Sequence, residues 1–142
     1  MKTIDEVQQD IIDEFSIFDD WMDKYALIIE QGNALTTLDE KYKTPENIIQ
    51  GCQSRVWLQT DFIEGRLYFK AESDAVIVKG LLALVLRVFN DRTPDEITGT
   101  DLRFMKELGL TEHLSPTRAN GLLAVIKQIR FYAIAYQAKS SK

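Results

Sequence analysis

The sequence predicts an α+β fold in which one small antiparallel sheet is flanked by helices. Strand-like alternation is confined to the middle of the chain, in "RVWLQTDF" (residues 55–62) and "LYFKAES" (residues 67–73), with a turn at Gly65 between them. Helical periodicity fills the segments before and after this pair, and this distribution is typical of the α+β class. With 142 residues, 45% of them hydrophobic, we expect a single domain over residues 1–142.

Two helices are predicted before the sheet. The first begins at a capping box made by Thr3 and Glu6, which is followed by an apolar stripe at helical spacing. The second begins near Asp19, and we expect Gly32 to end it by supplying the left-handed residue of a C-cap. The weak periodicity that follows predicts mostly turns, with a third short strand as an option near residues 35–38.

The segments directly after the sheet carry further helix signals. Ser73 and Asp74 are placed to cap the apolar run at residues 75–89, which is hydrophobic nearly all round and predicts a central, buried helix. Thr93 and Glu96 form a second capping box, which predicts that another helix begins there.

Two more helices are predicted toward the C-terminus. A short one begins near Asp101 and ends at Gly109, and Ser115 and Pro116 open the last, long one. The apolar spacing of the long helix predicts its buried face, which consists of Leu122, Val125, Ile126, Ile129 and Ala133.

Charge and hydropathy argue against several classes of protein. The chain has 22 acidic and 17 basic residues and a net charge of −5, which argues against nucleic acid as the main partner. The N-terminal stretch "MKTIDEVQQDIIDEF" lacks the apolar core and the cleavage site of a signal peptide. The most apolar stretch, residues 75–89, is shorter than the about 20 residues that a membrane span requires. We therefore expect a cytoplasmic protein without a membrane segment.

The single cysteine lies in "IIQGCQSRVW" (residues 48–57), directly before the first predicted strand. One thiol cannot form an intramolecular disulfide, a dithiol redox pair or a multi-cysteine metal cage. Cys52 follows Gly51, which suits a turn, and precedes the polar residues Gln53 and Ser54. This context favours a displayed thiol over a cysteine packed in the core.

Several roles for Cys52 remain open from the residues alone. The first is an inert, buried cysteine in a non-catalytic binding module, because free cysteine is among the most buried residue types. The second is a nucleophile activated by His113, the single histidine, although a histidine between two helices is more often a packing residue. The third is a metal-binding protein or iron–sulfur scaffold, in which carboxylates would have to complete the ligand set.

A thiol that accepts a sulfur atom needs no second cysteine, no activating histidine and no set of metal ligands. A thiolate attacks the outer sulfur of a donor persulfide and becomes a persulfide itself, so the donor supplies the activated sulfur. Placement in a loop suits delivery of such a thiol into the active site of a partner. Arg118 is a second candidate, since it lies in the first turn of the last helix, where the helix dipole disfavours a cation. An acidic neighbour or an anionic group on a partner would compensate the charge, although the residues alone slightly favour an arginine that extends into solvent.

Four blocks of the sequence resemble the SufE family of sulfur acceptors, which includes the related CsdE branch. They are "WMDKYALIIEQG" from Trp21, "IIQGCQSRVW" from Ile48, "SDAVIVKGLLALVL" from Ser73 and "LSPTRANGL" from Leu114. The cysteine block is the most specific of the four. Their order and spacing cover nearly the whole chain, from about residue 18 to residue 138.

The resemblance implies a carrier that takes persulfide sulfur from a SufS- or CsdA-type cysteine desulfurase onto Cys52. It also implies that the carrier stimulates the desulfurase and passes the sulfur to an iron–sulfur assembly scaffold. Arg118 falls in the "SPxR" block of the family and is expected to support the transfer or to contact the partner. The delivery loop around the cysteine is expected to contain Gln50, Gly51, Gln53 and Ser54.

The resemblance also bears on cofactors and architecture. The pyridoxal phosphate belongs to the desulfurase, so neither a cofactor nor a metal is expected in this chain, which would act as a carrier rather than as a stand-alone enzyme. Family members have a fold similar to that of the IscU-like scaffold proteins. The choice between the two desulfurase branches and the formation of a homodimer both stay open.

Overall fold

The computed structural model describes residues 2–35, 38–49 and 55–140, and it confirms the predicted α+β class. Two helices precede a two-stranded sheet, and five follow it within the described part of the chain. The elements are α1 (Ile4–Ser16), α2 (Trp21–Asn33), the 3-10 turns Glu40–Tyr42 and Pro45–Asn47, β1 (Val56–Ile63), β2 (Arg66–Ser73), α3 (Val76–Phe89), α4 (Pro94–Thr98), α5 (Phe104–Glu107), α6 (Leu110–His113) and α7 (Pro116–Ser140).

The sheet is a hairpin of β1 and β2. Its antiparallel register runs from Val56 opposite Ser73 to Ile63 opposite Arg66, and the turn between the strands has two residues with positive φ. The apolar face predicted from the alternation is confirmed, since its side chains are buried against the core: Val56, Leu58, Leu67, Phe69 and Ala71. Of the region in which a third strand was an option, residues 36 and 37 lie outside the described residues.

The predicted end of α2 at Gly32 is wrong. The helix continues to Asn33, Ala34 forms its C-cap in the right-handed region, and Gly32 is not among the residues with positive φ. Gly32 instead lies where α2 crosses α3, and a Cβ added to it would come within 2.8 Å of the backbone nitrogen of Gly80. The glycine therefore permits a close approach of two helices, which a sequence read one helix at a time does not show.

The capping signals are confirmed at three helices and wrong at a fourth. Both predicted capping boxes, at the starts of α1 and α4, form with reciprocal hydrogen bonds, and Ser115 caps α7 by accepting from the backbone N–H of Arg118. Ser73 and Asp74 do not cap α3. The N-cap residue of this helix is Ala75, and it makes no side-chain cap hydrogen bond. The predicted helix from Asp101 to Gly109 forms only over the four residues of α5.

The core lies around α3, of which nine residues are buried between the sheet and helices α1, α2 and α7. The inner face of α7 is also confirmed, since all five residues predicted to form it are buried. In the part of the chain that the structure describes, no helix combines the length and the apolarity that crossing a membrane requires. The sheet thus packs on a layer of helices, and its hairpin positions the segments that flank Cys52.

Candidate functional site

The residues proposed from the sequence divide into two groups. Cys52 lies outside the described residues, as do its neighbours Gln50, Gly51, Gln53 and Ser54. The structure describes the two chain segments that lead into and out of this stretch, which we call the incoming leg (residues 38–49) and the outgoing leg (Arg55). It also describes Arg118 and His113.

The incoming leg ends in a hydrogen bond to the first residue of β1. The backbone N–H of Ile49 donates to the carbonyl oxygen of Val56 at 2.9 Å, and Ile48 forms an isolated antiparallel bridge with Trp57. Ile49 is 8% exposed and belongs to the hydrophobic core. The leg is therefore attached to the outer edge of β1 both by its backbone and by a buried side chain.

The outgoing leg is held by Asp74, which follows β2. The backbone N–H of Arg55 donates to Oδ1 of Asp74 at 3.0 Å, and the backbone N–H of Asp74 donates to the carbonyl oxygen of Arg55 at 3.3 Å. This reciprocal pair closes the open end of the hairpin. The sequence prediction placed Asp74 at a helix cap, and no local signal could have shown that its carboxylate faces a residue 19 positions earlier.

A poorly exposed ion pair ties the middle of the incoming leg to the sheet. Nζ of Lys43 lies 2.5 Å from Oε2 of Glu72 and 2.9 Å from Oε1 of Glu40. The Lys43 and Glu72 side chains are only 20% and 12% exposed, and the ammonium lies 5.7 Å from the ring centroid of Trp57. Glu72 and Trp57 are register partners, so Lys43 contacts both strands on one face of the sheet.

These carboxylates raise the pKa of Lys43, the hydrogen bond to Glu72 being the largest cause and that to Glu40 the next. A raised pKa in the folded state means that the pair stabilises the fold fully below the unfolded pKa of lysine. That contribution is lost only as the pH rises through the raised value. The ammonium is therefore charged at neutral pH. No sequence signal predicted this pair, because its two residues lie on opposite sides of Cys52 in the chain.

Arg118 lies in the first turn of α7 and is exposed. Its backbone N–H is used by the Ser115 cap, while its guanidinium has no hydrogen bond or ion pair with another described residue. Far along the same helix, Tyr136 stacks on Phe62 at the turn end of the sheet, with ring centroids 4.5 Å apart. Eighteen residues of helix, about 27 Å, separate Tyr136 from Arg118. Arg118 therefore lies far from the turn of the hairpin.

His113 is used in packing. Its ring stacks on Trp21 with centroids 3.8 Å apart, and Nδ1 lies 3.0 Å from the carbonyl oxygen of Gly109. Its own carbonyl oxygen accepts from the hydroxyl of Tyr25. These contacts join α6 to α2 and give the histidine a structural role, as the sequence favoured.

No metal centre is formed by the described ranges. Within residues 2–35, 38–49 and 55–140, no three His, Cys, Asp or Glu side chains come together in a way that could hold a metal ion.

Comparison with known proteins identifies the family. The model of the SufE family, described as an Fe-S metabolism associated domain, matches residues 9–133. An uncharacterized SufE-like protein of Rhizobium meliloti is 46% identical over 125 residues, covering 84% of this chain and 89% of the relative. Another from Rhizobium etli is 43% identical over 125 residues, covering 84% of each chain.

A solved structure shows the same fold. The solution structure of a hypothetical protein from Thermus thermophilus superposes with a TM-score of 0.76, at 15% identity, over 93% of this chain and 96% of that one. At this identity the likeness concerns the fold alone. The family model is described as associated with iron–sulfur metabolism, and it agrees with the two relatives. On this evidence the chain belongs to the SufE family.

Proposed function

We propose that the chain is a sulfur acceptor that takes persulfide sulfur from a cysteine desulfurase onto Cys52 and passes it to iron–sulfur cluster assembly. The observation that carries the proposal is the anchoring of both legs, at Ile49 and at Arg55, around the stretch with the only cysteine, in a chain of the SufE family. Cys52 is three residues from each anchor, and three residues of chain span at most about 11 Å. We therefore expect a partner to reach Cys52 from the end of the hairpin at which Val56 pairs with Ser73.

The transfer is an exchange at sulfur. The Cys52 thiolate attacks the terminal sulfur of the donor's Cys–S–SH group, a new S–S bond forms to Cys52, and the donor's S–S bond breaks. The donor cysteine leaves as a thiolate, and the terminal sulfur and its proton remain on Cys52 as a persulfide. No electrons are gained or lost overall, so the acceptor requires no redox cofactor.

The remaining roles follow from the same proposal. The desulfurase, of the SufS or CsdA type, supplies the pyridoxal phosphate, and this chain acts in the cytoplasm as its activator and as a carrier. Gln50, Gly51, Gln53 and Ser54 form the delivery loop. A single domain over residues 1–142, with a fold like that of the iron–sulfur scaffold proteins, is part of the proposal too.

Intact-mass spectrometry tests the acceptor directly. The chain is incubated with a SufS-type desulfurase, pyridoxal phosphate and free cysteine, and a gain of about 32 Da per sulfur atom is expected, reversed by a reductant. The Cys52→Ser variant provides the control and is expected to gain nothing. A wild-type mass that stays unchanged with both desulfurase branches would contradict the proposal.

Arg118 is proposed to support the transfer by meeting an anionic group of the partner or of the reacting sulfur. Its guanidinium has no hydrogen bond or ion pair with another described residue, and Arg118 lies far from the turn of the hairpin. A desolvated charge-assisted contact of this kind contributes roughly 1.5–3 kcal/mol.

Replacing Arg118 with alanine is accordingly expected to slow sulfur transfer about tenfold or more without lowering the thermal stability of the fold, since the guanidinium contacts no described side chain. Single-turnover transfer measured by mass, beside a melting curve, checks this. Lys127→Ala, at another exposed position of α7, is the matched control and is expected to transfer normally. Equal rates for wild type and Arg118→Ala would assign the arginine to the solvated surface.

A further inference from the structure

We propose that the Lys43–Glu72 ion pair is a positioning element for sulfur transfer, which fixes the incoming leg so that Cys52 meets the donor sulfur at reacting distance. The inference rests on the proposed function. It assigns a role to two residues that lie outside the cysteine block.

The first step is the continuity of the contacts between Lys43 and the cysteine loop. Lys43 is bound to Glu72 of β2, the Asn47 side chain donates to the carbonyl oxygen of Tyr42 at 2.6 Å, and the Ile48 bridge and the Ile49 hydrogen bond follow. Every turn of the incoming leg is thus tied either to itself or to the sheet. Within this series, the ion pair is the side-chain contact that joins the middle of the incoming leg to β2.

The second step concerns burial and charge. Among the ion pairs between described residues, Lys43–Glu72 is the one in which neither side chain is more than 20% exposed. Withdrawing two charges from water is costly and is offset only when the geometry is well fixed. Glu40 is 86% exposed, so its ion pair with Lys43 is screened by solvent and does little to fix the position of the Lys43 ammonium. The contact that defines the position of the leg is therefore the one to Glu72.

The third step connects position to rate. Sulfur transfer requires the attacking sulfur of Cys52 and the terminal sulfur of the donor persulfide to approach to about 3–3.5 Å in line, and a displacement of about 1 Å can lower a rate a hundredfold. A leg that is free to move on the sheet widens the range of positions that the thiol occupies. We therefore expect a lower rate of sulfur transfer within the complex, while the affinity for the desulfurase stays nearly the same.

The experiment compares Lys43→Met, Lys43→Arg and Glu72→Gln, with Arg87→Met as the matched control. Arg87 forms a partly buried ion pair with Glu14 that joins α3 to α1 rather than to the incoming leg. For each variant, the measurements are the single-turnover rate at saturating persulfidated desulfurase, the Kd for the desulfurase, the melting temperature and the amide hydrogen exchange of Ile49.

Lys43→Met and Glu72→Gln are each expected to lower the saturated rate about tenfold, with the Kd nearly unchanged, and to speed exchange of the Ile49 amide by a similar factor. Lys43→Arg retains the charge and is expected to recover most of the rate. Arg87→Met is expected to lower the melting temperature but to leave the rate and the Ile49 exchange at wild-type values.

Two results would overturn the positioning role while leaving the acceptor intact. One is a wild-type rate in Lys43→Met, and the other is a rate loss in Arg87→Met that matches the loss in Lys43→Met at equal melting temperature. A wild-type chain that takes up no sulfur would instead contradict the proposed function and the positioning role with it. Because the Ile49 exchange needs no sulfur chemistry, it shows separately whether the ion pair holds the leg.

Discussion

Replacing Cys52 with serine is expected to reduce the stimulation of a cysteine desulfurase to nothing, so that the desulfurase turns over at its basal rate. The serine hydroxyl is close in size to the thiol. It is not ionised at neutral pH and supplies no sulfur nucleophile, so it does not take the terminal sulfur from a persulfide. The anchors of the loop, at Ile49 and at Arg55, use backbone groups that this substitution leaves in place. Binding of the desulfurase should therefore persist.

Steady-state sulfide release with and without the acceptor measures the stimulation, and calorimetric titration of the variant against the desulfurase measures the binding. Both are needed, because a variant that neither binds nor stimulates would report on docking rather than on sulfur chemistry. Stimulation by Cys52→Ser at the wild-type level would show that the chain activates the desulfurase through contacts alone, as a binding module with an inert cysteine would.

The local features of the fold could be predicted from the sequence because each depends on residues that are close in the chain. The capping box of Thr3 and Glu6 closes over four residues, and the alternation of Val56 and Leu58 reports one face of one strand. The position of Cys52 between a helix-poor segment and a strand is local in the same sense. Its family block could be recognised for that reason.

The features that the sequence did not show are pairings across the fold. The residue type and position of Asp74 are typical of a helix cap, and only the antiparallel register of the strands brings it next to Arg55. Lys43 and Glu72 meet because the incoming leg folds back over the sheet. In both cases a charged side chain that looks ordinary in the sequence gains its role from a partner that only tertiary structure supplies, and both lie beside the candidate site.

The crossing of α2 and α3 makes the largest prediction about stability. A Cβ on Gly80 would overlap the carbonyl oxygen of Ile28 and would lie 2.6 Å from Cγ2 of the same residue, so backbone atoms rather than a flexible side-chain end are in the way. On the opposing helix, Gly32 faces Gly80 at similarly short distance. Neither helix can move apart from the other without displacing the buried residues that pack on α3, because protein interiors are packed to crystal-like density.

Gly80→Ala is therefore expected to destabilise the fold by about 2–4 kcal/mol, although alanine favours a helix over glycine by about 1 kcal/mol. Urea unfolding followed by circular dichroism measures the change. Ala135→Gly, at an exposed position of α7, shows the helix propensity difference alone and is expected to cost about 1 kcal/mol. If Gly80→Ala proved more stable than wild type, propensity would outweigh the clash, and the helices would have to separate at little cost.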